Sequence, residues 1–427
     1  MDNNEYLRLP HGMFDREEEW IERERKILEL HEKSGKRIGC KLQKYAPVGY
    51  ASTFIKGANT AKDKVYTLNS KSGKSLILSC DSTPSVFRKY VANNNGEAQR
   101  IAFIAPLFRY RNSHSRHFTQ LGYSLINEKP SEMEDIDVNL IQLAKSMIDL
   151  FSSAGIKTKI HINDYEALRK ILGSYVSEKE LPEILHKLQF SSKEERLEIF
   201  RKLITDKNKC EELIELFSQE PRIIRYKASK DNKLNLPEEY KELYKMSEAL
   251  RYLTDVQVYF DPTDLHSIET IDKYALRFRT IDNNIALGDG GEYTRYAQRW
   301  NDKIKNFWSV ASGVEAIERN SPELLQDDIK RNIALYSIDA TDIFTLQVMK
   351  ELENMGENVA YKGKVKNIGK AIKKIKKDYT HVAMLGSNEE NGEDIKIKSL
   401  NTDETIIIES PNKKDRIKNK TEEEEER

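Results

Sequence analysis

Apolar residues recur along the chain with periods that change from segment to segment, and those changes mark out the elements. Trp20, Ile27, Leu28 and Leu30 recur at helical spacing between a capping-box-like Asp15 and Glu18 and a terminating Gly35, which predicts a first helix. Val65 to Leu68 and Ser75 to Leu78 predict short strands around Ser72-Gly73, with a helix from Ser85. Arg100 to Arg109 and Arg116 to Ile126 are strand-like runs joined by the polar Tyr110 to Ser115, a long hairpin with basic residues near its tip. Ile136, Leu140, Leu143, Met147, Leu150 and Phe151 then share one helical face, closed by Gly155, and a strand follows at Thr158 to Ile162.

From 164 to 254 the spacing is helical almost throughout, with breaks near Pro182, Ser191 and between Pro221 and Pro237, as in a helical insertion. Strand character returns at Val256 to Phe260, Tyr274 to Ile281 and Phe307 to Ala311, while Gly288-Asp289-Gly290-Gly291 reads as a turn. Beyond 325 strands and helices alternate: strands at 333–337, 358–361 and 380–385, helices at 341–355 and 366–377, and a hairpin through 394–409. The expected organisation is a first domain in two parts, 1–163 and 255–325, interrupted by the insertion 164–254. An α/β domain follows at 326–410, then a charged tail at 411–427.

Composition narrows the function classes. The 427 residues suffice for two or three domains. Lys plus Arg equals Asp plus Glu at 70 each, so no global basic field draws the molecule to nucleic acid and any polyanion site is local. No segment reaches the roughly 18 apolar residues of a membrane span, and the first residues lack an apolar signal core. Cys40, Cys80 and Cys210 are scattered, as reduced thiols are, and no histidine or cysteine spacing suits a metal. A cytoplasmic protein with no metal centre and no membrane contact is expected.

Several short motifs, in order, resemble those of class II aminoacyl-tRNA synthetases and specifically the histidyl-tRNA synthetase family. Leu78-Ser79-Cys80-Asp81-Ser82-Thr83 is similar to L-R-P-E-G-T, and Phe108-Arg109-Tyr110-Arg111 to the F-R-x-E of motif 2. Arg116 to Gly122 resembles R-Q-F-H-Q-x-G, Gly290-Gly291-Glu292-Tyr293 resembles G-G-R-Y, and Ala316-Ile317-Glu318-Arg319 resembles the G-x-E-R of motif 3. The run from Leu385 to Leu400 resembles the end of the family's anticodon-binding domain. The resemblance implies an α+β fold: a class II antiparallel sheet with a helical insertion, plus a C-terminal α/β anticodon-binding-like domain, in a homodimer.

Amino-acid activation sets a carboxylate against the α-phosphorus of ATP, so cations must neutralise phosphate oxygens. The resemblance implies Arg109 at the α-phosphate and Arg319 at the γ-phosphate, with Arg116 and Arg111 also on the nucleotide side. Arg111 stands where the family has a glutamate near the adenine. The R-G-L-D-Y-Y signature falls on Glu269-Thr270-Ile271-Asp272-Lys273-Tyr274, which puts Glu269 at the catalytic arginine. Mg²⁺ is expected only with bound ATP, where a carboxylate such as Glu269 suits it; a Glu269 turned to solvent is the alternative. The amino-acid pocket is implied at Asp81, Thr83, Gln120, Ser124 and Tyr274, with Asp81 in place of a longer glutamate and Ser124 in place of the glutamate of Q-x-G-x-E. Lys370, Lys373 and Lys374 form a local basic surface, either an RNA-contacting helix or a solvated face. These replacements point to an ATP-using paralogue acting on a substrate other than histidine, or to a silent binding or regulatory protein with a protein partner.

Overall fold

A computed structural model describes residues 7–55, 65–93, 96–110, 115–130, 132–133, 135–223, 236–321, 331–376 and 379–413. Arg111, His114 and the acidic end of the tail lie outside the described residues. In chain order the first part comprises α1 (Glu18–Arg37), β1 (Lys41–Lys44), β2 (Val48–Tyr50), α2 (Ala51–Ile55), β3 (Thr67–Asn69), β4 (Ser75–Leu78) and α3 (Thr83–Asn93). The hairpin β5 (Gln99–Phe108) and β6 (His117–Ile126), then α4 (Val138–Ser153) and β7 (Thr158–Asp164), complete it. The capping box expected from Asp15 does not form. Glu17 is the N-cap of α1, without a side-chain bond, and the helix runs past Gly35 to Arg37. Gly35 serves packing, since a Cβ there would lie 2.9 Å from both Ala102 and Tyr123.

The next stretch is helical: α5 (Tyr165–Gly173), α6 (Leu181–Phe190), α7 (Lys193–Leu203) and α8 (Lys207–Ser218), the short β8 (Arg222–Ile223), and α9 (Leu243–Thr254). Then come β9 (Val258–Phe260), β10 (Tyr274–Thr280), β11 (Ala286–Glu292), α10 (Thr294–Trp300), β12 (Phe307–Gly313) and α11 (Val314–Asn320). The Gly288 to Gly291 segment is therefore not a turn but the middle of a strand. Its glycines answer to close backbone approach: a Cβ on Gly288 would sit 2.2 Å from the Ala311 carbonyl oxygen, and one on Gly290 2.3 Å from that of Ser309.

These strands build a nine-stranded sheet in the order β1-β5-β6-β12-β11-β10-β7-β9-β8, while β2, β4 and β3 form a small separate sheet. The six strands from β5 to β7 pair antiparallel, and β1 and β9 join in parallel. Alternation along each strand gives the large sheet two faces. Leu121, Tyr123, Leu125, Val310, Leu276 and Phe278 join the core that holds Ile27 and Leu30 of α1 and the buried face of α4. On the other face Phe103, Leu107, Ile126 and Phe307 pack with Val86 and Phe87 of α3 and Tyr296 and Trp300 of α10.

The last part contains β13 (Asn332–Ser337), α12 (Asp342–Asn354), β14 (Asn358–Lys364), α13 (Ile368–Ile375), β15 (His381–Leu385), α14 (Ser387–Glu390), β16 (Ile395–Ser399) and β17 (Thr405–Ile408). Its five-stranded sheet, β14-β13-β15-β16-β17, is parallel on the β14 side and antiparallel on the β17 side. Helix α12 packs on α9, and the largest core continues from α4 and α9 to Phe344 and Val348. A buried polar node also joins the two sheets. Arg100 donates to the Glu128 carboxylate at 2.7 Å, the Ile38 carbonyl at 3.0 Å and the Gln142 side-chain oxygen at 2.9 Å, and the Gln142 amide donates to the Tyr361 carbonyl at 3.2 Å.

Candidate functional site

The second face of the large sheet carries small residues at its centre. Register places Gly122, Ala311, Asp289 and Arg277 side by side across β6, β12, β11 and β10, and Ser124, Ser309, Gly291 and Ala275 in the row beside them. Phe103 packs over Gly122 and Ile271 over Gly291, but above the short side chains of Ser309 and Ala311, beside Asp289 and Gln120, a cavity of about 660 Å³ opens. Leu181, Leu185 and Gln189 of α6 and the 267–272 segment form its opposite wall.

Five sequence-predicted residues meet in this cavity: Asp81, Thr83, Arg109, Gln120 and Glu269. Arg109 follows the end of β5, and its Nε donates to the Cys80 carbonyl at 2.7 Å with the guanidinium 5.4 Å from the Phe118 ring centre. That single anchor leaves the terminal nitrogens without a protein acceptor among the described residues. Asp81 opens α3 by accepting from the Thr83 amide at 2.9 Å, and the Ser82 hydroxyl donates to the Gln120 side chain at 2.7 Å. One short turn thus sets a carboxylate and an amide beside the motif 2 arginine. The Glu269 carboxylate, 24% exposed, lies 3.1 Å from Nδ1 of His186 on α6, which links that helix to the site.

Other predicted residues lie elsewhere. Tyr274 falls on the opposite face by strand alternation, where its hydroxyl donates to the Asp135 carbonyl at 3.2 Å. Ser124 is fully buried, 2.9 Å from the Ser309 hydroxyl. The Arg116 guanidinium stacks 4.0 Å from the Tyr110 ring centre, outside the cavity lining. Arg319 is exposed on the last turn of α11, also outside it. Strand β12 ends at Gly313 and α11 begins at Val314, so the Ala316 to Arg319 run lies within the helix. Lys370, Lys373 and Lys374 are exposed on α13. Lys370 and Lys374 face a second cleft of about 720 Å³ between the two sheets, together with Lys41, Lys129, Lys362 and Lys364.

The cavity also holds charges that the sequence reading missed. Arg169 of α5 donates to the Asp272 and Ile271 carbonyls, both at 2.6 Å, and to Ile268, so it secures the 268–272 segment. Burial, then the nearby Arg295, lowers its pKa to about 10. Arg295 is spent on Asp272, with Nε 2.6 Å from the carboxylate. Arg299, one helical turn on, lines the cavity and has no hydrogen-bond or ion-pair partner among the described residues. The burial of Tyr296, Ala297 and Trp300 on α10 was the signal available, because it fixes where Arg295 and Arg299 emerge. Asp289 went unnoticed because its glycine neighbours suggested a turn. Among the described residues no group of three or more His, Cys, Asp or Glu side chains is disposed to hold a metal ion, and no helix is long and apolar enough to cross a membrane.

A sequence model described as histidyl-tRNA synthetase matches residues 12–305. A histidine–tRNA ligase of Mesomycoplasma hyopneumoniae is 27% identical over 315 residues, 68% of this chain; the chain spans just under two thirds, 66%, of that relative. A second, of Mycoplasmoides gallisepticum, is 22% identical over 383 residues, 82% of this chain and 85% of the relative. Among solved structures, a Bacillus halodurans protein titled ATP phosphoribosyltransferase regulatory subunit/histidyl-tRNA synthetase superposes with a TM-score of 0.64 at 16% identity, over 90% of this chain and all of that one, a likeness of fold. With the family model matching well over half of the chain and the class II fold in place, the chain belongs to the histidyl-tRNA synthetase family.

Proposed function

We propose that the cavity binds ATP together with a small amine-bearing carboxylic acid other than histidine and joins them as an adenylate. A substrate carboxylate oxygen bonds to the α-phosphorus, the bond to the β-phosphate bridge breaks, and pyrophosphate leaves. The observation that carries this reading is the meeting, in one open cavity, of Arg109 with Asp81 and Gln120: a cation for phosphate beside acceptors for an ammonium group. Arg299 adds a second unpaired guanidinium. Among the described residues no group of three or more His, Cys, Asp or Glu side chains is disposed to hold a metal ion, so Mg²⁺ would come with the nucleotide, whose phosphate oxygens are its usual ligands. Ser124, buried against Ser309, and Glu269, where the family resemblance implies a cation, argue against histidine as the substrate.

Amino-acid-dependent exchange of pyrophosphate into ATP tests the reading. Exchange is expected with an amino acid other than histidine and should fall at least about 100-fold in Arg109→Ala, the usual effect of removing one transition-state donor. Exchange with histidine alone rejects the altered substrate. ATP binding without exchange would support the second reading, a silent binding or regulatory protein, which the Glu269–His186 contact favours by occupying the carboxylate at the reacting position. Family membership supports a homodimer and tRNA contact, and the exposed lysines of α13 offer the local basic surface for the latter.

A further inference from the structure

The cavity contains a carboxylate, that of Asp289, which lies outside the family motifs. The glutamate of Q-x-G-x-E, implied to help form the substrate pocket, is Ser124 here; it is 0% exposed and its hydroxyl is engaged with Ser309 at 2.9 Å, so that position is closed to a ligand. Asp289 reopens the chemistry elsewhere. It stands two strands away, on β11, and one register row along. At strand spacings of about 4.8 Å and two residues of about 3.4 Å rise, this moves the acidic position by roughly 12 Å across the floor.

Asp289 lines the cavity and has no hydrogen-bond or ion-pair partner among the described residues. Its cross-strand neighbour Arg277 is near enough for the two charges to attract but donates no hydrogen bond to it, because that guanidinium is bonded to both oxygens of Asp264 at 2.5 and 3.1 Å. Ala311 and Gly291 beside it are too small to cover it. Asp81 bounds the same cavity and accepts only the Thr83 amide. Both carboxylates lie near one phenol: after burial, Asp289 and then Asp81 raise Tyr293 well above its ordinary pKa. Two acceptor-only groups flanking an aromatic ring suit two separate cationic nitrogens.

Resting on the reading above, we infer that the substrate is an amino acid with a cationic side chain, its α-ammonium held at Asp81 and its side-chain cation at Asp289, leaving its carboxylate to the arginine side of the cavity. Calorimetric titration of the full-length protein with lysine, arginine, norleucine (which keeps lysine's four side-chain carbons without the ammonium group) and, separately, ATP tests this. Lysine or arginine should bind at least tenfold more tightly than norleucine. Asp289→Asn should remove that preference, weakening the cationic ligand roughly 10- to 100-fold while norleucine and ATP bind as before. Lysine against arginine distinguishes an ammonium from a guanidinium. Equal binding of norleucine by the native protein, a preference that survives Asp289→Asn, or ATP binding with neither basic amino acid bound overturns the inference and leaves the nucleotide reading standing. Loss of ATP binding in the native protein overturns both. The native comparison of lysine with norleucine needs no variant, so a folding defect in Asp289→Asn leaves the test intact.

Discussion

Glu292 stands where the resemblance implies an arginine, and alternation along β11 puts it on the face away from the cavity, opposite Trp308. Burial first, then the Asp137 charge, raises its pKa to about 7. Because the folded value lies above the ordinary one, the fold favours the protonated form. That stabilisation is complete below about pH 4.5 and disappears as pH rises through 7. Glu292→Gln, neutral at every pH, should therefore match the native protein at pH 5 and exceed it by about 2 kcal/mol at pH 8, as urea unfolding at the two pH values would read. At this scale the sequence brought Arg109 and Asp81 to one cavity, because motif order carries their placement. It set Tyr274 in the pocket, whereas strand alternation turns that residue to the other face, since a one-residue change of phase on a strand changes the face; Arg319 lies outside the cavity lining near the end of α11.

Helical spacing announced the insertion and the α/β alternation, since apolar residues at intervals of three and four are hard to mistake when sustained. Strand β11 was illegible for the opposite reason: glycine is the ordinary mark of a turn, and nothing local distinguishes a glycine required by a neighbouring backbone. Gly288→Ala tests that distinction. A turn would accept the methyl group, whereas here it meets the Ala311 carbonyl oxygen at 2.2 Å in a central strand. The expected loss is about 3 kcal/mol, with a lowered melting temperature and weaker ligand binding in the cavity.

Over the whole molecule, equal numbers of acidic and basic residues conceal local order. Arg100, only 6% exposed, and Glu128 neutralise each other between the two sheets, with Lys362 3.9 Å from the same carboxylate. Burial opposes ionisation of Glu128, but the Arg100 and Lys362 charges outweigh it and hold its pKa below the ordinary value. Removing Arg100 alone strands that carboxylate. Arg100→Leu should cost about 3–5 kcal/mol in chemical denaturation, and Arg100→Leu with Glu128→Leu should recover much of it. No periodicity announces such a node, because contacting members such as Gln142 and Tyr361 lie 219 positions apart along the chain.

Helix α9 carries a further implication. It lies in the stretch that reads as an insertion, yet it packs against both α4 and α12, and Lys350 of α12 reaches the Tyr252 ring at 4.6 Å. An exchange of everything after residue 331 between this chain and a relative would bring a foreign α12 onto the resident α9, and such a chimaera should melt at a lower temperature than one in which α9 is exchanged as well.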